Sequence, residues 1–590
     1  MKARIQAHAA HSRALRCGHA AALLAAVTLA AAPSMPPGSA SGMAAKPDDE
    51  ARIQQEGPAA PKANDPGLAK QAFLHQIGAN KAWKLVTEQT SITIAVVDTG
   101  VDLDHPDLQP NLLPGINLLK PDEPPRDDNG HGTSVAGVVA AAGNNGKGVA
   151  GVIWKARILP IKALDRNGYG DERQLGEGIR KAISEGARIV VLSVGLYHSS
   201  PYMRDIAALA EQKGVLLVAA AGNDGRRFGS RAAVKYPAAY PTVLAVGGVG
   251  PDGLPDSRSN QGPELDIAAP WKVYTTAAGG GYHYVEGTSM AAPQAAAAAA
   301  LLWAKYPSLK PYQIRSMLRQ TAKDEGAKGF DYGAGYGLLR IDSALADRYK
   351  ADPHEPDDSA KTAAALPLGK QLSGQLSGTG DQDWYRLECP YDGIVSLDYT
   401  QLTSPGAGAS AVRIELEEAG SVKKMPLKLR NHKLEWHVRK GTNRLMLRLE
   451  PGSGAKQVPY LLSTRLRMLP DKGESNDTAG KAYPLADRSL EFQGTFHQAA
   501  DVDWYSIRVA KKGTMRLQVE AGTMRMDPAF SYRRAGGEAL AVDSNGEGVA
   551  ETSPLIPVTP GTYEIKVWDV GEDAAAPATG YYTLKVTRGG

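Results

Sequence analysis

Between about Asn64 and Ala346 the chain alternates short, wholly apolar runs with helix-length stretches, and this pattern restricts its possible folds most. Ile92–Val97, Arg157–Leu164, Arg188–Val194, Val215–Ala220 and Val243–Val249 read as strands rich in Val, Ile, Leu and Ala. They lack the apolar/polar alternation of a strand with one wet face, so both faces must be covered. Helices are expected near Val135–Ala142, Leu175–Glu185 and Arg204–Gln212. Buried strands alternating with helices specify an α/β fold with a mostly parallel sheet. Thr288–Lys305 is Ala-rich and predicts a helix buried on most sides.

The composition changes after Lys350. Strand-like runs such as Ile394–Tyr399, Arg444–Leu449 and Tyr460–Arg467 are separated by Gly and Pro turns. This region also repeats. Glu355-Pro356-Asp357-Asp358-Ser359 is matched by Glu474-Ser475-Asn476-Asp477-Thr478, 119 residues on. Asp381-Gln382-Asp383-Trp384-Tyr385 is matched by Asp501-Val502-Asp503-Trp504-Tyr505, with the tryptophans 120 apart. Two landmarks in near register indicate a duplication. The expected units are 351–470 and 471–590, meeting at Asp471–Gly473, each long enough for a β-sandwich.

The N-terminus alters the charge arithmetic. Lys2, Arg4, Arg13 and Arg16 precede the apolar run Ala20–Ala32, which is too short for a typical membrane span. Small residues follow, so 1–40 reads as a secretory signal peptide with cleavage after Ala40. Residues 41–63 read as a disordered leader, and one α/β domain is expected over 64–346. Losing four of the 67 Lys and Arg leaves them equal to the 63 Asp and Glu. A neutral chain offers no electrostatic footprint for nucleic acid. One thiol, Cys389, would remain, so no internal disulfide can form. No other segment is apolar enough to span a membrane.

Three short motifs carry chemistry. Asp98 follows a buried strand in Val96-Val97-Asp98-Thr99-Gly100, where open α/β sheets place functional groups. His131 lies between glycines in Asn129-Gly130-His131-Gly132-Thr133-Ser134, which allows close backbone approach. Ser289 enters the Ala-rich helix in Gly287-Thr288-Ser289-Met290-Ala291-Ala292-Pro293, near its positive end. Taken singly, they read as a turn aspartate, a helix-start histidine and an N-cap serine. Together they supply a nucleophile, a base and a carboxylate to fix the base's tautomer, in the chain order Asp–His–Ser.

On these motifs residues 64–346 closely resemble the subtilases, the subtilisin-like serine proteases, and best the thermitase branch. Asn64-Asp65-Pro66, Gln76-Ile77-Gly78-Ala79, Ser193-Val194-Gly195 and Ala219-Ala220-Ala221-Gly222-Asn223 extend the resemblance. It implies a subtilisin-like doubly wound, mostly parallel sheet flanked by helices. It implies a triad of Asp98, His131 and Ser289, with the Asn223 amide as oxyanion donor. Ser193, Val194, Gly195, Ala220, Ala221 and Gly222 match the walls that bind an extended peptide. Lys235 matches the floor of the pocket for the P1 side chain, and poorer acceptance of large aromatics with a taste for acids is expected. Gln294 stands for a usual histidine, Ala297 for a glycine and Ser134 for a histidine or cysteine. Leu196 stands for a wall glycine and is expected to narrow a subsite. The leader is shorter than the folding prodomain most subtilases carry.

The resemblance also aligns Asp65, Asp107 and Asn145, with the carbonyls of Ala142, Lys147 and Val149, to a structural calcium site. No organic cofactor is expected. The repeats resemble bacterial pre-peptidase C-terminal domains, implying two all-β, jelly-roll-like sandwiches. Calcium ligands from Glu355, Asp357, Asp358, Asp381 and Asp383, and from Glu474, Asn476, Asp477, Asp501 and Asp503, stand beside a plain turn-capping reading. Trp384 and Tyr385 are expected in the core. The expected molecule is a secreted, extracellular, monomeric endopeptidase acting on proteins or peptides. An alternative makes it a surface or matrix adhesion protein, its C-terminal units binding insoluble protein or glycan, with proteolysis secondary or absent.

Overall fold

The computed structural model describes residues 5–6, 63–86, 91–402, 412–418, 421–427, 431–452, 454–498, 500–570 and 580–589. The expected signal peptide and leader, apart from residues 5–6 and 63, lie outside the described residues.

Seven strands form one sheet: β1 (Thr93–Asp98), β2 (Ile116–Asn117), β3 (Arg157–Lys162), β4 (Ile189–Leu192), β5 (Leu216–Ala220), β6 (Leu244–Val249) and β7 (Ile267–Pro270). Their order is β2-β3-β1-β4-β5-β6-β7, and every neighbouring pair is parallel. The two-residue strand period explains the unbroken apolar runs. Ile94 and Val96 of β1 enter one core, while Ala95 and Val97 enter the other.

The helices divide between these two cores. α2 (Glu172–Ser184) and α3 (Pro201–Gln212) cover one face through Leu175, Ile179, Met203 and Ile206. α1 (His131–Ala140), α4 (Thr288–Lys305) and α5 (Pro311–Gln320) cover the other. Their starts follow local rules: Asp171 and Gln174 form a capping box on α2, and Ser200 caps α3 before Pro201. α4 is buried from Thr288 to Trp303, so small alanines let neighbouring elements approach on all sides. All strands keep one direction, but the order in which they are added switches sides of the sheet between β1 and β4, and Asp98, Ser193 and Asn223 gather at the strands' C-terminal ends there.

Beyond Lys350 the structure is β. A five-stranded sheet built on Gln382–Cys389 and Gly441–Leu449 faces a four-stranded sheet built on Gln371–Leu376, Gly393–Gln401 and Val458–Met468. One core holds residues of both, including Tyr385, Leu447, Tyr399 and Trp436. A second pair of sheets, built on Val502–Val509 and Gly561–Asp569 and on Gly513–Ala521 and Tyr581–Gly589, shares another core. Long neighbours in these sheets run antiparallel. Equivalent groups recur: Tyr385 and Tyr460 hydroxyls pair at 2.7 Å and Tyr460 donates to Asp383, while Tyr505 pairs with Tyr582, which donates to Asp503 at 2.5 Å.

Both sandwiches pack on the α/β unit. Lys370 is buried and reaches Asp266 Oδ2 at 2.9 Å and the Val243 carbonyl at 2.6 Å. Arg319 of α5 holds Asp266 Oδ1 and the Gln371 carbonyl, each at 2.8 Å. From the second sandwich, Arg525 bonds Glu264 at 2.8 Å and the Val234 carbonyl at 2.6 Å.

Candidate active site

Asp98 ends β1 and His131 begins α1. The helix starts four residues before the apolar pattern predicted, because Asp127 organises the loop ahead of it. Its carboxylate accepts from the N–H groups of Asn129, Gly130 and Thr133 and from the hydroxyls of Thr99 and Thr133. Gly132 lets this loop lie against β1: a Cβ there would sit 2.1 Å from the Gly100 carbonyl oxygen.

The result is a buried pair, His131 Nδ1 to Asp98 Oδ1, at 2.7 Å. The Thr99 N–H also donates to that oxygen at 2.7 Å. A carboxylate can only accept, so the imidazole proton sits on Nδ1 and Nε2 is left as acceptor. Nε2 has no partner among the described residues. Burial opposes protonation of the ring, but the charge and hydrogen bond of Asp98, with Asp127 behind, outweigh it. The pKa of His131 is raised above the ordinary 6.5.

Ser289 stands in the first turn of α4. Its hydroxyl donates to the Ser193 carbonyl at 3.4 Å. The helices that carry Ser289 and His131 pack against each other, and resting catalytic hydrogen bonds are commonly loose. Four residues on, Pro293 has no N–H to give the Ser289 carbonyl. Ser193 Oγ donates to it instead, at 2.8 Å. One serine therefore repairs the helix ladder and ties Ser289 to the strand end of β4.

Asn223 follows β5. Its Oδ1 accepts from Thr288 N at 3.0 Å and Thr288 Oγ1 at 2.7 Å. That fixes the amide and leaves Nδ2 as its free donor beside the nucleophile's helix. The first N–H groups of a helix lack intrahelical acceptors. Ser289 N and Asn223 Nδ2 therefore make a pair of donors that an oxyanion can use. Asp127, Thr288 and the Ser193 side chain are contributors that motif reading missed. The Asp-Asp-Asn-Gly run before His131 and the proline four residues after Ser289 were the signals available.

Ser193, Val194, Gly195, Ala220, Gly222, Asn223, Lys235, Thr288 and Ser289 line one pocket. Ala221 lies beside it in the wall, its carbonyl accepting from Lys235 N at 2.9 Å. The Lys235 stem lies between the glycine walls: a Cβ on Gly195 would be 2.7 Å from Lys235 Cβ, and one on Gly222 would be 3.2 Å from its Cδ. The ammonium is already engaged, 2.7 Å from Asp224 Oδ2 and 4.6 Å from the centre of the Tyr197 ring. An acidic P1 side chain would meet this ion pair rather than a bare ammonium, which weakens the expected taste for acids. Leu196 packs against the α2/α3 core and lines a second pocket with Leu175, Met203 and Tyr236, apart from the pocket that holds Ser289. Gln294 is buried within α4 and bonds the carbonyls of Pro270 and Met290, away from the reacting atoms. Ser134 bonds the carbonyls of Gly130 and Thr276 and His283 Nε2.

The proposed calcium ligands also converge. Asp65 accepts from Asn144 N and Asn145 N, and Asn145 Nδ2 donates to Asp107 Oδ1 at 3.0 Å. Asp107 Oδ2 accepts from Val149 N. Among the described residues no hydrogen-bond donor reaches the carbonyls of Ala142, Lys147 or Val149. Two buried carboxylates, a flippable amide and spare carbonyls in one loop form an all-oxygen donor set that fits a hard cation.

In the repeats, Glu355, Asp381 and Asp383 bring oxygens within 4.8 Å of one another, as do Asp471, Glu474 and Asp503. Glu474 also meets His497 and Asp501. Asp357 is buried with neither carboxylate oxygen partnered, and Asp383 and Asp503 each leave one oxygen unpartnered. Burial and neighbouring negative charge push Asp357 up to about 8, and burial above all pushes Asp383 to about 9 and Asp503 to about 8. Asp358 and Asp477 are exposed and stand outside these groups. Asp352, Asp471 and His497 were missed. The two aspartates each precede the repeated glutamate by three residues and cap equivalent strands, at Gln375 N and Thr495 N, both at 2.8 Å.

Fold and site together set a buried Asp–His pair and a helix-start serine on a parallel α/β scaffold. Residues 89–337 match the Subtilase family. The chain is 38% identical over 257 residues to a subtilisin of Bacillus pumilus, covering 43% of this chain and 91% of that protein. It is 41% identical over 243 residues to a thermostable alkaline protease of Halalkalibacterium halodurans, covering 41% and 64%. It is 36% identical over 307 residues to the minor extracellular protease Epr of Bacillus subtilis, covering 51% and 46%. The chain belongs to the subtilase family. It spans about half to two thirds of the length of the last two relatives.

Proposed function

We propose that this chain is a secreted serine endopeptidase of thermitase-like type that hydrolyses proteins through an acyl-enzyme. The observation carrying this is the buried Asp98–His131 pair with an unpartnered Nε2, at the start of a helix packed against the one that begins with Ser289. Ser289 Oγ attacks the peptide carbonyl carbon while His131 Nε2 takes its proton. The C–N bond breaks as His131 returns that proton to the amine. Water, deprotonated by His131, then releases the acid and restores Ser289. Asn223 Nδ2 and Ser289 N receive the negative oxygen in both halves. The substrate lies extended along Ser193–Gly195, its P1 side chain closed off by Lys235. Relatives that are named as extracellular support secretion, and no helix among the described residues is long and apolar enough to cross a membrane.

Calcium belongs to the same reading as a structural ion. Asp65, Asp107 and Asn145 would hold it in the α/β unit, where it would supply a rigid cross-link between loops. The pre-peptidase-like repeats offer further cages at Glu355, Asp357, Asp381 and Asp383 and at Asp471, Glu474, Asp501 and Asp503. Their unpartnered buried oxygens favour a cation over plain turn capping.

A fluorophosphonate probe tests the catalytic reading. It labels the wild-type chain and fails on Ser289→Ala. Equal labelling of both, or of neither, overturns it. The adhesion alternative predicts that full-length Ser289→Ala sediments with insoluble protein or glycan as strongly as wild type does.

A further inference from the structure

The P1 pocket of the proposed protease is not built from the α/β unit alone. Lys235, which closes it, belongs to the segment Val234–Tyr236. That segment is stitched to both walls: Lys235 N donates to Ala221 O at 2.9 Å, and Leu196 and Tyr236 exchange backbone bonds of 2.9 and 2.8 Å. Its outer side meets the second sandwich. Arg525, in the connection between strands Gly513–Ala521 and Pro528–Arg534, donates Nη2 to the Val234 carbonyl at 2.6 Å. Its guanidinium also lies 5.1 Å from the centre of the Tyr236 ring, and Nη1 bonds Glu264 at 2.8 Å. One planar cation thus grips the residues on either side of Lys235.

Further contacts continue the same seam. Met524 N donates to Arg231 O at 3.1 Å, and Arg231 Nη1 donates to Gly548 O at 3.0 Å. His198, three residues past Gly195, lies 2.7 Å from Glu547. Both rims of the pocket, near 198 and along 231–236, therefore rest on the loops of 521–525 and 547–548. Arg525 has only 12% of its side chain exposed, and a guanidinium so enclosed holds geometry better than a surface ion pair.

We propose that the second C-terminal sandwich is a specificity element of the active site, with Arg525 the positioning residue that sets the depth of the P1 pocket. This rests on the protease reading above. The guanidinium holds Val234–Tyr236 inward, so Lys235 stays between Gly195 and Gly222 and the pocket stays shallow. Large P1 side chains are then excluded by a residue some 290 positions along the chain from the pocket floor.

The test uses the full chain with Arg525→Ala and Arg525→Lys, and peptides that differ only in Ala, Leu or Phe at P1. Fluorophosphonate labelling of Ser289 reports the triad separately, so failure of the protease reading and failure of this one are distinguishable. In Arg525→Ala labelling persists and the Phe-to-Ala ratio of kcat/KM rises about ten-fold, within the range a methylene-sized change of pocket commands. Arg525→Lys keeps the charge opposite Glu264 but loses the planar fork, and gives an intermediate ratio. If Arg525→Ala is not recovered folded, the lysine variant alone decides. An unchanged ratio in a labelled variant, or an equal fall for all three peptides, overturns the proposal.

Discussion

At the scale of single residues, the site depends on which atom holds a proton and which atom is left free. His131 has its pKa raised, chiefly through Asp98 working against burial. Only the neutral ring can take the serine's proton, so activity is absent below that raised value and appears as pH climbs through it. The expected kcat/KM profile has an acid limb with its midpoint above 6.5, measured with a neutral peptide ester. Asp98→Asn removes the charge and presents the wrong tautomer, and kcat should fall by about 10⁴-fold. Asn223→Ala should cost about 10²–10³-fold in kcat with little change in KM, since the donor acts on charge that develops in the transition state. Lys235 gives a third case. Asp224→Asn frees its ammonium while the stem keeps the pocket shallow. The kcat/KM ratio for Glu over Gln at P1 should then rise about ten-fold, from one partly buried ion pair gained. No rise would mean that the ammonium does not face the P1 side chain.

At the scale of elements, α4 shows what a sequence discloses and what it hides. Its span, Thr288–Lys305, was legible because Ala favours helix and because no charged residue stands before Lys305. The strands β1, β3, β4, β5 and β6 were legible to within two residues at most ends for a similar reason: burial on both faces leaves a continuous apolar run. β2 and β7 were not. Ile116–Asn117 is too short to show a pattern, and Ile267–Pro270 carries two alanines and a proline that suit a loop equally well. The triad residues stood in local motifs, so they could be read. Arg525 and Glu264 lie far apart in sequence and have no motif, so only the folded chain brings them together. The contact between Ser193 and the Ser289 carbonyl is hidden in the same way, although Pro293 announces an unpaired carbonyl on the preceding turn. Ser193→Ala should strand that buried acceptor. A loss of about 1–3 kcal/mol in urea unfolding is expected, measured in a Ser289→Ala background to prevent autolysis.

At the scale of the whole molecule, the question is whether the C-terminal half is cargo or frame. Removing calcium addresses part of it. Chelation should lower Tm by several degrees, and Asp383→Asn with Asp503→Asn should lower the remaining response, because each removes an unpartnered carboxyl oxygen that a cation would ionise and bind. The docking seam addresses the rest. Lys370 is 1% exposed, and its ammonium meets Asp266 and the carbonyls of Ala238, Tyr240 and Val243. Burial pulls its pKa down to about 8 against the pull of Asp266, so the lysine is held charged by contacts from the other unit rather than by solvent. Asp266 in turn binds Arg319 and Ala245 N. Lys370→Met keeps the length of the stem and deletes the charge, leaving Asp266 with fewer partners. Breaking one side of a buried ion pair costs about 3–5 kcal/mol when no other partner remains, and Arg319 softens that here. A loss of about 2–3 kcal/mol is expected in urea unfolding of the inactive Ser289→Ala chain. The two halves should also unfold in a single transition in the parent and in two after the substitution. A sandwich tethered only by the linker near residue 350 would give two transitions in both proteins and no shift in the first. The single transition is what the buried Lys370–Asp266 pair and the Arg319 bond to the Gln371 carbonyl favour, because both join one half to the other and are lost when the halves part.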